Sequence, residues 1–283
     1  MQNVIQHIQS ELRGHYPENE IKSFCNLIIQ KLTGFSRIEI LVNKNTNFSV
    51  EKQQDVEKII EKLKKQVPIQ YILGETDFYG HTFNVNESVL IPRPETEELV
   101  DWIQKDNSSN QIKNILDIGT GSGCIAISLK HIFTNAVVDA FDISETALVT
   151  AKSNARRNKV NINFIKADIL NAPKFNKKWD IIVSNPPYVT EFEKNEILPN
   201  VLEHEPHLAL FVPDNDPLLF YRNIAKFAQE YLGQNGKLYF EINREFGMDC
   251  MNLLTNMGFS DVELRKDISG NDRMIRAILD SEL

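Results

Sequence analysis

The sequence is short of cysteine, of positive charge and of long apolar runs. Its three cysteines, Cys25, Cys124 and Cys250, are far apart, odd in number and include no C-x-x-C pair. That argues against a disulfide framework and against a zinc site built on thiolates. Lysine and arginine number 31 against 39 aspartates and glutamates, a net charge of −8. Proteins that grip nucleic acid by its phosphates usually carry a basic excess, so direct nucleic-acid binding is not expected. No apolar run reaches the ~18 residues that span a bilayer, and no membrane partner is expected. The first residues, Met1-Gln2-Asn3-Val4-Ile5-Gln6-His7, lack the basic region and apolar core of an export signal. The expected compartment is therefore the cytoplasm. What is present is ordinary for a globular chain: 42% hydrophobic and 25% charged residues. This composition excludes a disordered, collagen-like or rod-like chain as a whole. At roughly 150 residues per domain, 283 residues suggest about two domains.

The first 74 residues read as helices. Val4, Ile5, Ile8 and Leu12 share one helical face, and Ile21, Phe24, Ile28 and Leu32 form a second set. Gly34 follows as a C-cap. Ser49 is a plausible N-cap for a third helix with Glu51 in its first turn, although Lys52 stands where a capping box needs Glu or Gln. Val56, Ile59, Ile60 and Leu63 make its buried stripe, and its lysines and glutamates a solvated face. Residues 75–91 change to alternation and turns around Phe78-Tyr79-Gly80-His81, which predicts a β-hairpin connector. Pro94 and the acids Glu95, Glu97 and Glu98 then suit a helix start.

After the polar break Asn107-Ser108-Ser109-Asn110, strands and helices alternate. Strands are expected at 114–118, 136–141, 163–167 and 179–184, with helices at 124–133 and about 145–158. A helix around 217–232, a turn at Gly233-Gln234-Asn235-Gly236 and a strand at 237–242 follow. A helix near 247–257 and strands at 262–265 and 274–279 end the chain. This order predicts an α/β fold, a doubly wound parallel sheet with an antiparallel element at its end.

Four constellations carry chemistry. Leu116-Asp117-Ile118-Gly119-Thr120-Gly121-Ser122-Gly123-Cys124 leaves a strand and opens a helix. Its glycines let the backbone turn tightly and approach a ligand. The spacing is G-x-G-x-G, neither the dinucleotide fingerprint nor a P-loop, and Asp117 favours a cationic ligand. Asp142, ending the next strand 21 residues past Gly121, could accept hydrogen bonds from a ribose diol, or could serve as an N-cap, as could Ser144. Asp168, closing the third strand, could reach an adenine amino group. The sharpest signal is Ser184-Asn185-Pro186-Pro187-Tyr188. Each proline biases its predecessor away from the helical region and holds the segment extended at the sheet edge. Asn185 Oδ1 and the Pro186 carbonyl could then accept both N–H bonds of one –NH2 group, with Tyr188 stacked on it. An amide or exocyclic amine nitrogen has a delocalised lone pair. Two acceptors would orient it and stabilise the positive charge that develops in attack on an electrophilic methyl.

These residues resemble the class I S-adenosylmethionine-dependent methyltransferases, and more closely the protein-(glutamine-N5) methyltransferases that modify peptide chain release factors. The resemblance rests on Ile91-Pro92-Arg93-Pro94-Glu95-Thr96-Glu97, the 117–123 loop, Asn185-Pro186-Pro187-Tyr188, residues 205–210 and Ser269-Gly270-Asn271-Asp272-Arg273. It implies a Rossmann-like seven-stranded methyltransferase sheet over residues 92–283, preceded by a helical substrate-recognition domain at 1–74 and the connector at 75–91. It implies S-adenosylmethionine as cofactor, held by Asp117, Gly119, Thr120, Gly121, Ser122, Gly123, Asp142, Asp168, Ile169 and Asn185, and no metal. Asn185, Pro186, Pro187 and Tyr188 would hold the substrate amide, and Asn185, Pro186 and Tyr188 would act in catalysis. The implied partner is a class 1 release factor, modified at the glutamine of its Gly-Gly-Gln loop, and the chain is expected to work as a monomer. Two departures stand out: Ile169, where some relatives carry an aromatic residue, and Asn243, where a glycine often follows Glu-Ile. The alternatives are an N-methyltransferase for a nucleic-acid base, gripped by the same Asn-Pro-Pro-Tyr geometry after base flipping, and a glutamine methyltransferase for a ribosomal protein. The acidic net charge disfavours the first.

Overall fold

The computed structural model describes residues 1–109 and 111–279. Asn110 of the polar break, and residues 280–283 at the end of the expected catalytic domain, lie outside the described residues. The described chain divides into two compact units: Met1–Gly74 with Leu198–His204, and Glu75–Ile197 with the described residues from Glu205 onward. No helix among the described residues is long and apolar enough to cross a membrane.

The N-terminal unit is built on α1 (Gln2–Leu12), α2 (Glu18–Thr33), α3 (Arg37–Val42), α4 (Val50–Lys64) and α5 (Ile69–Leu73). The apolar stripes read from the sequence form its core. Ile8, Leu12, Ile21, Phe24, Ile28, Val56, Ile60 and Leu63 are buried together. Each such side chain contributes about 1.5–3 kcal/mol relative to exposure. Gly34 ends α2 with φ +74°, and its N–H donates to Gln30 O. Ser49 caps α4 through Lys52 N without a reciprocal partner. The full capping box lies at α3, which the sequence reading passed over: Ser36 Oγ accepts from Glu39 N, and Glu39 Oε2 accepts from Ser36 N at 2.8 Å. The S-x-x-E spacing was a usable signal. Helix α5, closed by Gly74, was also missed; at five residues it is too short to show periodicity.

The larger unit opens with a hairpin, β1 (Glu75–Phe78) and β2 (His81–Asn84). Tyr79 and Gly80 at its tip both have positive φ, as a two-residue type I′ connection requires. Then come α6 (Pro94–Asp106), β3 (Asn114–Ile118), α7 (Cys124–Ile132), β4 (Val137–Asp142), α8 (Glu145–Arg157), β5 (Asn163–Lys166), β6 (Trp179–Ser184) and β7 (Val189–Thr190). Helix α9 (Pro199–His204) groups with the N-terminal helices. α10 (His207–Leu210), β8 (Phe211–Val212), α11 (Leu219–Tyr231), β9 (Leu232–Glu241), α12 (Gly247–Asn256), β10 (Ser260–Lys266) and β11 (Asp272–Ile278) complete the order.

Seven strands form one sheet in the order β10-β11-β9-β6-β3-β4-β5, with β11 antiparallel to both its neighbours. Successive side chains on a strand face opposite ways, so the apolar strands feed two cores. Ile115, Ile181, Val183 and Tyr239 join one core with Leu99, Ile103, Ile127 and Leu129 of α6 and α7. Leu116, Ile182, Leu238 and Phe240 join the other with Ile224, Phe227 and Leu254 of α11 and α12. The predicted turn at residues 233–236 is corrected: these residues lie within β9 as an irregularity. Pairing with β6 moves from Trp179–Leu232 to Ile181–Lys237, and Asn235 takes φ +56°. Pairing continues on both sides of the excursion, so the strand is not interrupted.

Candidate active site

Strand order reverses at β3: β4 and β5 lie on one side of it, β6 and β9 on the other. Such a reversal opens a crevice at the carboxyl ends of the strands. A cavity of about 260 Å³ occupies this place. Its wall includes residues 119–122 after β3, Asp142 at the end of β4 and Ser144 after it, Asp168 and Ile169 after β5, and residues 185–187 after β6. Segments separated by as many as 68 positions, from 119 to 187, thus meet because each follows a neighbouring strand.

The glycine loop is held against the end of β4: Gly119 N and Thr120 N both donate to Phe141 O at 2.9 Å. Gly121, at φ +54°, would place a side chain into open space, and its N–H donates to Asp142 Oδ2 at 2.8 Å. Gly123 has a different task. A Cβ there would meet Ala151 Cβ at 3.2 Å and Ile127 Cδ1 at 3.3 Å, so its absence lets α7 and α8 pack closely. Asn154, fully buried in α8, donates to Ser122 O and Asn84 O at 2.9 Å each and so ties the loop to the hairpin. No local signal in the sequence singles out Asn154.

Asp117 does not reach the cavity wall. Its Oδ2 accepts from Thr120 Oγ1 at 2.6 Å and from Ala126 N at 3.2 Å, so it braces the loop from behind. Burial pushes this carboxyl up to about 7, against those two hydrogen bonds. Asp142 does reach the wall, and Ser144 is the N-cap of α8, which leaves Asp142 free of that task. Its Oδ1 accepts from Ser144 N and its Oδ2 from Gly121 N, both at 2.8 Å. The carboxylate has about four acceptor sites, so capacity remains for a ligand hydroxyl. Burial raises this carboxyl above its usual range, opposed by the main-chain N–H groups of Ser144 and Gly121.

Asp168 caps the short 3-10 turn Ile169–Asn171, accepting from Leu170 N at 2.9 Å and Asn171 Nδ2 at 3.0 Å. Ile169, Leu170, Ile143 and Phe220 make apolar wall. Phe220, from α11, supplies aromatic surface that residue 169 lacks. Ile143 and Leu170 remain 46% and 39% exposed, apolar area that a flat ligand would cover.

In the fourth constellation, Asn185, Pro186 and Pro187 line the cavity. Asn185 Nδ2 donates to Thr96 Oγ1 at 3.3 Å. Among the described residues no donor reaches Asn185 Oδ1 or the Pro186 carbonyl. Tyr188 follows these residues but is not itself part of the cavity wall. Its hydroxyl donates to Glu241 Oε1 at 3.1 Å, and its carbonyl accepts from Asn243 Nδ2 at 3.1 Å. Burial drives the Tyr188 hydroxyl far upward, reinforced by the charge of Glu241, so it stays protonated. The departure at Asn243 thus has a local use: its amide also donates to Glu193 and holds the segment after Tyr188. Glu205, 3% exposed, accepts from Ile91 N at 3.2 Å and pairs with Arg93, fixing the approach to α6. Sequence reading assigned no role to Thr96, Asn154, Glu205, Phe220 or Glu241. Their partners are distant in the chain, and no spacing rule connects them.

The open space over Gly119 and Gly121, the spare lone pairs of Asp142 and the exposed apolar wall fit a nucleoside with a cationic substituent. Exchanging Asp142 for alanine is expected to weaken S-adenosylmethionine binding by roughly 10–100-fold, the loss of one or two hydrogen bonds to a charged acceptor. Titration calorimetry measures this directly, and unchanged affinity would refute the ribose assignment.

Comparison with known proteins identifies relatives of this chain. A family model for the methyltransferase small domain matches residues 95–208, and one for the PrmC N-terminal domain matches residues 3–74. A release factor glutamine methyltransferase of Flavobacterium psychrophilum is 52% identical over 268 residues, 94% of this chain and 94% of that protein. One from Bacteroides thetaiotaomicron is 47% identical over 278 residues, 98% of this chain and 99% of that protein. Among solved structures, a methyltransferase of Pyrococcus furiosus superposes with TM-score 0.53 at 16% identity, covering 82% of this chain and 100% of that one. A Thermus thermophilus 16S rRNA N2 G1207 methyltransferase, solved with AdoMet and guanosine, also gives 0.53 at 17% identity, covering 72% of this chain and 49% of that one. At such identities the structures are alike in fold alone.

Proposed function

The chain belongs to the release factor glutamine methyltransferase family, and from that premise we propose that it methylates the N5 amide nitrogen of the glutamine in the Gly-Gly-Gln loop of class 1 peptide chain release factors. The observation that carries the reading is the pair of unspent acceptors in the cavity wall, Asn185 Oδ1 and the Pro186 carbonyl. A primary amide offers two N–H donors, and two acceptors fixed to one strand end match it. When bound, S-adenosylmethionine supplies an electrophilic methyl on a sulfonium centre. Residues 119–122, Asp142, Asp168 and Ile169 would hold it, and Asp142 and Asp168 give the wall the acidic character that suits a cation.

Asn185 and Pro186 hold both substrate N–H bonds and aim the nitrogen lone pair. Positive charge builds on that nitrogen as the new N–C bond forms, and the two acceptors stabilise it without reorganising. The nitrogen is then far more acidic than an amide and gives its proton to water, so no strong base is required. Asn185 lines the same cavity as residues 119–122 and Asp142, which suits its double assignment to cofactor and substrate. Residues 1–74 would grip the release factor, and the enzyme would act as a monomer in the cytoplasm.

Tritiated-methyl transfer to a purified class 1 release factor, beside DNA and RNA, tests the reading. Label is expected in the peptide that contains Gly-Gly-Gln. Label in nucleic acid alone, or none in the release factor, would overturn it.

A further inference from the structure

Behind the Asn185 amide runs a chain of hydrogen bonds that ends on a buried carboxylate. Asn185 Nδ2 donates to Thr96 Oγ1 at 3.3 Å, and Thr96 Oγ1 donates to Glu241 Oε2 at 2.6 Å. Tyr188 Oη donates to the other oxygen, Glu241 Oε1, at 3.1 Å. Thr96 and Glu241 are 2% and 1% exposed, so water does not substitute for these partners. The chain joins the first turn of α6, the end of β9 and the segment after β6.

We propose that Thr96 and Glu241 are positioning residues that fix the polarity of the Asn185 amide, and that this polarity makes the site take a side-chain –NH2 group and refuse a carboxylate. The inference rests on the reading of Asn185 as an acceptor for the substrate amide. It follows from counting protons. Burial raises the Glu241 carboxyl above its usual range, opposed by the Thr96 hydroxyl, the charge of Arg273 and the Tyr188 hydroxyl; in its ionised form it only accepts, and a hydroxyl has a single proton to give. Two hydroxyls meet Glu241, and each spends its proton there. Thr96 Oγ1 then has none left for Asn185 and can only accept from it. The two ends of an amide are nearly equal in size, so shape alone does not choose between them; the hydroxyl does. With Nδ2 committed to Thr96, Oδ1 is the end left for the substrate. The Pro186 carbonyl beside it is an acceptor in any event.

Two acceptors suit a glutamine amide and oppose the oxygens of a glutamate, which is specificity by an unfavourable contact as well as by a favourable one. A glutamine at position 241 would bring a donor into the chain. With its –NH2 toward Thr96, the hydroxyl proton would turn to Asn185, and the Asn185 amide would invert and present N–H to the substrate. Valine at position 96 removes the hydroxyl at nearly constant volume, whereas serine keeps it.

The test compares wild type, Glu241→Gln, Thr96→Val and Thr96→Ser in two measurements. One is the initial rate on a release factor carrying the target glutamine. The other is inhibition by the same release factor with that glutamine replaced by glutamate. Glu241→Gln and Thr96→Val are expected to lower kcat about tenfold or more, and to narrow the preference for glutamine over glutamate by a similar factor, the scale of one well-placed hydrogen bond. Thr96→Ser is expected to recover most of both. If Glu241→Gln fails to fold, the Thr96 pair decides alone, with circular dichroism as the check on folding. An unchanged glutamine preference in Thr96→Val, or equal losses in the valine and serine variants, overturns the positioning role, since a merely structural residue would depress activity without touching preference. Wild-type rates separate the two possible failures. No transfer by wild type overturns the proposed substrate along with this inference; wild-type transfer with unchanged preference in the variants overturns this inference alone.

Discussion

Replacing Asn185 by alanine is expected to cut turnover roughly 10²-fold or more, the usual loss when a preorganised polar partner of the transition state is removed. The side chain lines the cavity, its Nδ2 is held by Thr96, and Oδ1 has no partner among the described residues. Its removal deletes one of two acceptors for the nitrogen on which charge develops. The Pro186 carbonyl remains, being backbone, so the reaction should persist slowly. The loss should appear mainly in kcat, because the acceptor matters most once the nitrogen is charged. The melting transition should stay near that of wild type, because the side chain is only partly buried. Single-turnover rates on a release factor measure the effect, and turnover within about threefold of wild type would remove Asn185 from the role given to it.

The largest effect on stability is expected at the opposite end of the same strand. Trp179 opens β6, whose last residue, Ser184, immediately precedes Asn185. It is 1% exposed and packs edge-on to Phe175 at 5.4 Å and to Phe141 and Tyr231 at 6.1 Å. Its Nε1 donates to Asp139 Oδ2 at 2.7 Å, where Lys177 also pairs. Trp179→Ala would empty the centre of this aromatic cluster and withdraw a donor from a buried carboxylate. A cost of about 3–5 kcal/mol is expected. At roughly 2–4 °C per kcal/mol for a chain of this size, the melting temperature should fall by on the order of 10 °C. Differential scanning calorimetry would show it, and a fall of less than about 2 °C would mean that the cluster relaxes to fill the space. The two variants should separate cleanly, one losing chemistry with the fold intact and the other losing fold stability.

The site was legible in part because some of its signals are local. Glycines between a strand and a helix, an aspartate ending the next strand and prolines after an asparagine each constrain the backbone within a few residues, so their meaning does not depend on the rest of the chain. Helices α1, α2 and α4 were legible for a similar reason: their buried stripes repeat at the helical period. The short helices α3, α5 and α10 offered too few turns for that signal. The loop at residues 233–236 looked like a strand boundary because its glycines and asparagine have turn chemistry, yet the pairing of β9 with β6 resumes beyond it.

The expected role also shifted where an oxygen had two possible neighbours. Asp117 was read as a ligand contact and instead braces the loop through Thr120 and Ala126. The ring of Tyr188 is expected to stack on the substrate amide, and its hydroxyl donates a hydrogen bond to Glu241.

The sequence by itself determined the long helices and the strands of the main sheet, that those strands are largely parallel, and which loops carry the chemistry, because those follow from periodicity and from backbone restrictions over a few residues. Only the tertiary structure decided how the Asn185 amide is aimed. That depends on Thr96, 89 positions away, and on Glu241, 145 positions from Thr96. A hydrogen bond acts over about 3 Å and is indifferent to separation along the chain, so its partners are fixed by the packing of α6, β6 and β9 and by nothing in the local sequence.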